Sequence, residues 1–213
     1  MWTPGRQIAG DRVFPRRAWQ EDFMDIFEAI HGRRAVRDYA DKPLSESVIH
    51  SLIGEAVWAP SGINLQPWCF FVVDDPATLA ACSAAAKALM LKQTELHPKL
   101  ADMRERLASP EFNIFYNAPV LIVICSTTPD EMALKDCCLA AQILMLAAHA
   151  QGLGTCWIGF SEAWLNTPAG KARLGIPVEF RPVAPIIIGY PGGPTQATER
   201  RTPDIRHVAM DKF

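Results

Sequence analysis

The chain has 213 residues, 49% of them hydrophobic and 21% charged, with a formal net charge of −2. That length and balance suit one sizeable folded core and exclude an intrinsically disordered chain. With no global basic excess, neither nucleic acid nor an anionic membrane is an expected partner.

Residues 1–22 are polar, basic and proline-bearing, with no apolar stretch of the kind a secretory signal carries, and read as an extended arm. Residues 20–31 set Phe23, Ile26, Phe27 and Ile30 at helical spacing, and Gly32 ends that helix. The basic segment 33–37 follows. Pro43 and Ser45 introduce a second helix with Val48, Leu52, Ile53 and Ala56 on one face. Pro60-Ser61-Gly62 breaks the chain into a loop. Residues 68–73 read as a strand. Residues 76–108 read as helical with a break at Pro98; His97-Pro98 and Ser109-Pro110 bracket a more polar helix.

Residues 120–125 form a fully apolar strand, and residues 130–151 the long central helix, stopped by Gly152 and Gly154. The apolar run around that helix is interrupted by Asp136, Gln142, His149 and Gln151, so it reads as a core helix and not as a membrane span. A third strand at 155–158, a helix at 164–174 and a fourth strand at 185–189 follow. Beyond Pro191 the chain is rich in Pro, Gly, Thr and Arg and has no core of its own; it is a loose tail or an arm laid on a partner. Strands and helices intermix without strict alternation, which predicts an α+β fold in one domain. Its limits are residues 23–194, between an N-terminal arm at 1–22 and a C-terminal arm at 195–213.

Four segments carry candidate chemistry. Arg33, Arg34 and Arg37 put three guanidiniums within five residues, either a fork for an oxyanion or a solvated basic turn. Residues 59–68 (Ala-Pro-Ser-Gly-Ile-Asn-Leu-Gln-Pro-Trp) are either a polar turn or a loop that approaches a flat ligand, with amides at Asn64 and Gln66 to read it. Residues 152–160 are either a helix stop followed by a core strand or a place where glycine lets backbone N–H groups reach a ligand. Glu199-Arg200-Arg201-Thr202-Pro203 means little alone. The six cysteines form no C-x-x-C pair and sit mostly in apolar runs, so they read as reduced core residues of a cytosolic protein. The five histidines lack ligand spacing, and no metal site is expected. His149, in the central helix, reads as a hydrogen-bonded interface residue.

Taken together and in order, these segments resemble the nitroreductase family of flavoenzymes over about residues 25–205. Arg33-Arg34-Ala35-Val36-Arg37 is similar to the family's R-R-S-x-R, with Ala35 in place of the small hydroxylated residue. Residues 59–68 match A-P-S-x-x-N-x-Q-P-W throughout, and 152–159 is similar to G-L-G-T-x-W-I-G. Residues 199–203 are similar to K-x-R-x-P, with Glu199 where lysine is common and Arg200 beside it to compensate. The resemblance implies a mixed α+β sheet flanked by helices in an intertwined homodimer, with FMN sites at the subunit interface.

It further implies that Arg33 meets the FMN phosphate or ribityl chain, with Arg34 and the Ala35 backbone beside it. Arg37 would reach the pyrimidine end of the ring. Pro60, Ser61, Gly62 and Asn64 would pack on the flavin from the other subunit, with Gln66 and Trp68 bracing the loop. A backbone N–H near Ile158 or Gly159, following Trp157, would reach flavin N5, and Arg200 and Arg201 would clamp the phosphate. Lys87 would fall near another flavin contact. A substrate lid would lie in residues 88–116, carried by Phe112, Phe115 and Tyr116, with Glu95, Lys99, Arg104 and Arg106 in the same stretch. NAD(P)H would donate hydride to the flavin, and a nitroaromatic or quinone would accept it, with no side chain acting as a nucleophile. Specialised relatives that dehalogenate, dehydrogenate a ring or break down the flavin, and a flavin-binding or redox-sensing protein with little turnover, are the alternatives.

Overall fold

The computed structural model describes residues 24–94 and 103–208. Its centre is a four-stranded sheet in the order β1-β2-β4-β3, with β1 at Trp68–Val73, β2 at Val120–Ser126, β3 at Gly154–Trp157 and β4 at Arg181–Gly189. All three ladders are antiparallel. The parallel component is a single bridge from Ala35 to Thr155, which adds the arginine segment to the free edge of β3.

β2 is buried along its whole length, and its alternate residues feed two cores. Val120, Ile122 and Ile124 face a layer built by α2 (Glu46–Ala56) and α5 (Glu131–Ala150), where Leu52, Ala141 and Leu144 are fully buried. Leu121, Val123 and Cys125 face the opposite layer, built by α3 (Pro76–Thr94), α4 (Arg104–Ala108) and α6 (Gly159–Leu165). The expected α+β architecture is therefore observed as a helix–sheet–helix sandwich. α5 is long and apolar enough to cross a membrane by length and composition, but Ala133, Asp136, Cys137, Ala140, Ala141 and Leu144 are buried within the fold.

Several expected elements differ in detail. α1 runs Ile26–Gly32, started by a capping box between Asp25 and Glu28. Only its Ala29 is buried; the apolar face of Ile26, Phe27 and Ile30 is exposed, Phe27 to 69%. Phe23 lies outside the described residues. The expected single helix at 164–174 is two. α6 ends at Leu165, and α7 (Pro168–Leu174) restarts behind Thr167, whose hydroxyl caps Gly170 N–H, with Pro168 at the first helical position. β4 begins four residues before the expected Pro185. Prolines at 182 and 185 mask a strand in the sequence because they lack the N–H donor; opposite the Ile124/Cys125 step of β2 the register shifts by one residue, leaving Val183 of β4 unpaired. The break expected at Pro98 falls outside the described residues, between α3 and α4.

Four of the six cysteines are buried, Cys69 is half-buried and Cys138 is exposed, so Cys138 is not a core residue. Burial pushes the Cys125 and Cys137 thiols up to about 12, so neither is a ready thiolate.

Candidate active site

The arginine segment is held as an edge strand. Val36 N–H donates to the Thr155 carbonyl at 2.9 Å, and the buried Val36 packs where a Cβ on Gly154 would stand, 2.7 Å away. Gly154 is thus required by the close approach of the segment. The period of two exposes Ala35 and Arg37 on one side and turns Val36 inward. Arg34 folds back, its Nη1 donating to the carbonyls of His31 at 2.5 Å and Arg33 at 2.9 Å. Its Nε is buried and has no hydrogen-bond partner. None of Arg33, Arg34 and Arg37 forms an ion pair among the described residues. A buried unpartnered donor amid three unpaired guanidiniums is a donor set suited to an oxyanion.

The chain's end runs past this segment. Gly192 N–H donates to the Asp38 carbonyl at 2.9 Å and Ala40 N–H to the Tyr190 carbonyl at 2.9 Å. A cleft of about 380 Å³ lies between residues 34–38 and the tail at 193–198. Arg200 and Arg201 follow just beyond it, both exposed. They do not line the cleft in one chain.

The 59–68 loop is strained. Ile63, Asn64 and Gln66 all hold positive φ (44°, 58° and 50°), a conformation costly for residues with a Cβ and concentrated at functional sites. Four side-chain hydrogen bonds sustain it. Ser61 Oγ accepts from Gln66 N–H at 3.0 Å, Gln66 Nε2 donates to Asn64 Oδ1 at 3.1 Å, and both Asp136 carboxylate oxygens accept from Gly62 N–H at 3.2–3.3 Å. Gln66 thus braces the loop. Asp136 was visible in the sequence only as an interruption of the apolar helix. It is 3% exposed and anchors the loop to α5. A buried carboxylate in a core helix was the available signal. Pro60, Asn64 and Ile63 point outward, Ile63 at 91% exposure.

At the end of β3, Trp157 is half-buried, and Ile158 N–H donates to the Pro185 carbonyl at 2.8 Å. That leaves the Gly159 amide, at the first position of α6, without a hydrogen bond among the described residues. A Cβ on Gly159 would meet nothing within 4 Å, so space lies open on the Cβ side of this residue.

The expected lid divides. Phe115 is 0% exposed and packs in the core with Leu107 and Ile114; it is not a lid residue. Three aromatics in five residues are equivalent in sequence, but Phe115, whose N–H donates to Asn113 Oδ1 at 2.8 Å, lies inward, just before a turn in which Tyr116 and Asn117 hold positive φ (53° and 57°). Phe112 and Tyr116 remain half-buried, edge to face at 5.7 Å. Lys87 does not stand free for a ligand: its Nζ donates to the carbonyls of Ser109 and Phe112, both at 2.6 Å. One turn earlier on α3, Ser83 Oγ accepts from Ile114 N–H at 3.0 Å, so two residues of one helix face tie this segment down. Arg37 reaches it from the other side, 6.0 Å from the Tyr116 ring centroid. Glu95 and Lys99 lie outside the described residues.

The fold therefore joins Arg37, β3 and Tyr116 on one side, because Arg37 also lies beside Cys156 of β3. It does not bring the 59–68 loop to them. Gly62 is bonded to Asp136 of α5, whereas a Cβ on Gly32, next to Arg33, would meet His149 of the same helix at 2.6 Å. Thirteen helical residues between those anchors correspond to about 20 Å. His149 itself packs beneath the arginine turn, and its pKa is lowered, first by burial and then by Arg33 and Arg34.

The site is thus a set of unpaired arginines and an orphaned Arg34 Nε on the edge of a helix–sheet–helix α+β fold, a donor set suited to an anion. The model of the nitroreductase family matches residues 30–190, and the chain belongs to that family. It is 29% identical over 189 residues to a Methanothermobacter thermautotrophicus protein called "Putative NADH dehydrogenase/NAD(P)H nitroreductase", covering 87% of each chain. It is 31% identical to the 5,6-dimethylbenzimidazole synthase of Rhodospirillum rubrum, over 79% of this chain and 83% of that one. Among solved structures, the nitroreductase of Bacteroides fragilis with bound FMN superposes with a TM-score of 0.76 at 25% identity, covering 87% of this chain and 100% of that one.

Proposed function

We propose that the chain is an FMN-dependent oxidoreductase that works as a homodimer and takes its electrons from NAD(P)H. The observation that carries this reading is the set of unpaired guanidiniums with the orphaned Arg34 Nε on the edge of β3, beside the open Gly159 amide. Relatives support the cofactor: the Bacteroides fragilis nitroreductase has bound FMN, and the Methanothermobacter relative's name includes NAD(P)H nitroreductase. Bound FMN would supply hydride transfer from the nicotinamide to a nitroaromatic, quinone or similar small acceptor.

The residues divide the work of holding it. Arg33 and Arg34 bind the phosphate end, aided by the Ala35 backbone. Arg37 faces the polar end of the ring. The Gly159 N–H, after Trp157 and Ile158, offers a hydrogen bond at N5, where charge develops on reduction. Phe112 and Tyr116 cover the space in which donor and acceptor alternate. Arg200 and Arg201 add charge at the phosphate. Pro60, Ser61, Gly62 and Asn64 come from the partner subunit, since in one chain they stand about 20 Å along α5 from the arginine turn. The exposed apolar residues Ile26, Phe27, Ile30, Ile63, Met132 and Leu139 fit an interface between copies.

The test is direct. The purified protein, loaded with FMN, is mixed with NADH or NADPH under nitrogen and followed in the visible range, then given nitroaromatic and quinone acceptors. The expected result is rapid bleaching and recovery with each acceptor. A protein that cannot hold FMN overturns the reading, and bound FMN that neither nucleotide reduces leaves it a flavin-binding protein without this activity.

A second reading is a specialised reaction such as oxygen-driven flavin breakdown, favoured by the identity to the 5,6-dimethylbenzimidazole synthase. Reduction followed by air, with no other acceptor, separates the two. Full return of the oxidised spectrum supports the reductase, and irreversible loss of flavin supports the specialised reaction.

A further inference from the structure

Two arginines far apart in sequence converge on one aromatic pair. Arg37 lies 6.0 Å from the Tyr116 ring centroid, and Arg106, on α4, lies 5.7 Å from the same centroid and 4.4 Å from that of Phe112. Neither arginine has a carboxylate partner among the described residues. A guanidinium over a ring keeps its N–H donors in its own plane, so the contact positions Arg106 without consuming its hydrogen bonds. The platform beneath it is fixed: Lys87 holds the carbonyls of Ser109 and Phe112, Ser83 holds Ile114 N–H, and Tyr116 is locked at φ 53°. The half-buried Phe112 and Tyr116 are thus a braced aromatic pair with the guanidiniums of Arg37 and Arg106 against it.

We infer that Arg106 selects the acceptor: the site takes planar aromatic acceptors that carry a carboxylate, with the ring against Phe112 and Tyr116 and the carboxylate on the Arg106 guanidinium. The inference rests on the reductase reading above. Arg37 is assigned there to the flavin; Arg106 belongs to no such role and is left to read the second ligand. Carboxylate on guanidinium is a bidentate, charge-assisted pairing that lysine does not reproduce.

The test uses 4-nitrobenzoate and its neutral methyl ester as acceptors, and benzoate against benzamide as non-reducible ligands, with FMN-loaded protein. The expected result is that wild type has a higher kcat/KM for the carboxylate than for the ester. In R106Q that ratio falls about tenfold, mostly through KM, while R106K falls less. Calorimetry should show benzoate binding more tightly than benzamide to wild type and losing that advantage in R106Q. Equal losses for acid and ester, an unchanged ratio, or an effect confined to the KM for NADPH each overturn the inference. Absence of benzoate binding to the wild type overturns it without any turnover. Benzoate preference that depends on Arg106, in a protein that no nicotinamide reduces, sinks the reductase reading and keeps the selectivity.

Discussion

The two helical layers on either side of the sheet are finished differently. The layer of α3, α4 and α6 closes on itself: Leu107, Ile114, Phe115 and Leu165 are fully buried, and α3 ties the neighbouring loop through Ser83 and Lys87. The layer of α2 and α5 is equally well packed against the sheet, yet its outer surface is left apolar, with Met132 and Leu139 on α5 and Ile26, Phe27 and Ile30 on α1. The difference bears on the proposed homodimer: on that reading the closed layer carries the ligand platform, and the open layer carries the 59–68 loop that a second copy would supply.

The largest effect should come from testing the closed layer against the open one. Phe115→Ala removes a fully buried ring and should lower unfolding free energy by about 3–5 kcal/mol, read by denaturant melts of the FMN-free protein. Phe27→Asp alters a side chain that is 69% exposed and should leave the chain folded. Its expected effect is on assembly: a shift from dimer to monomer in sedimentation, with release of the flavin. A dimeric, yellow Phe27→Asp protein would remove the open layer from the interface and break the comparison.

How far the sequence foretold each region follows from the same contrast. The strand at 120–125 is legible because an unbroken apolar run matches burial along its whole length, and that at 68–73 from its β-branched and aromatic content, although only Val73 of it is buried. α1 was readable as a helix but not as an exposed one, because 3.6-residue periodicity marks an apolar face without saying what covers it. Phe115 is indistinguishable from Phe112 and Tyr116 in sequence for a related reason: its neighbours are alike, and only tertiary packing with Leu107 and Ile114 marks it as the core ring. β4 was shortened by its prolines. The arginine segment and the 59–68 loop were legible as motifs, but their separation along α5 is a property of tertiary packing. Asp136 was passed over because the partner of its carboxylate, Gly62 N–H, is 74 residues away.

That anchor gives the next effect in size. Asp136→Ala leaves a partly buried Gly62 N–H without its acceptor and frees a loop with three positive-φ residues. A loss of about 1–3 kcal/mol in stability is expected, and FMN affinity should fall roughly tenfold. Asp136→Asn keeps one carbonyl oxygen for the same N–H and should fall between the two. The measurements are thermal melts and flavin-fluorescence titration. If Asp136→Ala weakens stability but not flavin affinity, the loop's strain is structural and the open layer contributes surface only.

The smallest effect is a pH dependence where α5 meets the turn between α1 and the arginine segment. His149 has a folded pKa below its ordinary value, through burial first and then Arg33 and Arg34. The unfolded chain therefore takes up the proton at higher pH than the folded one. The stability that neutral His149 contributes is present above about pH 6.5 and is lost as pH falls through the lowered folded value. His149→Asn should flatten that part of the acid limb, measured by denaturant melts across pH 5–7.5, about the histidine range. FMN should change the same limb. A phosphate on Arg33 and Arg34 offsets the two charges that disfavour the imidazolium, so the folded pKa should move back up and the limb shift with it. The shift should appear in wild type with FMN, vanish in His149→Asn, and be weakened by salt. If FMN leaves the limb where it was, the phosphate does not sit over these two arginines.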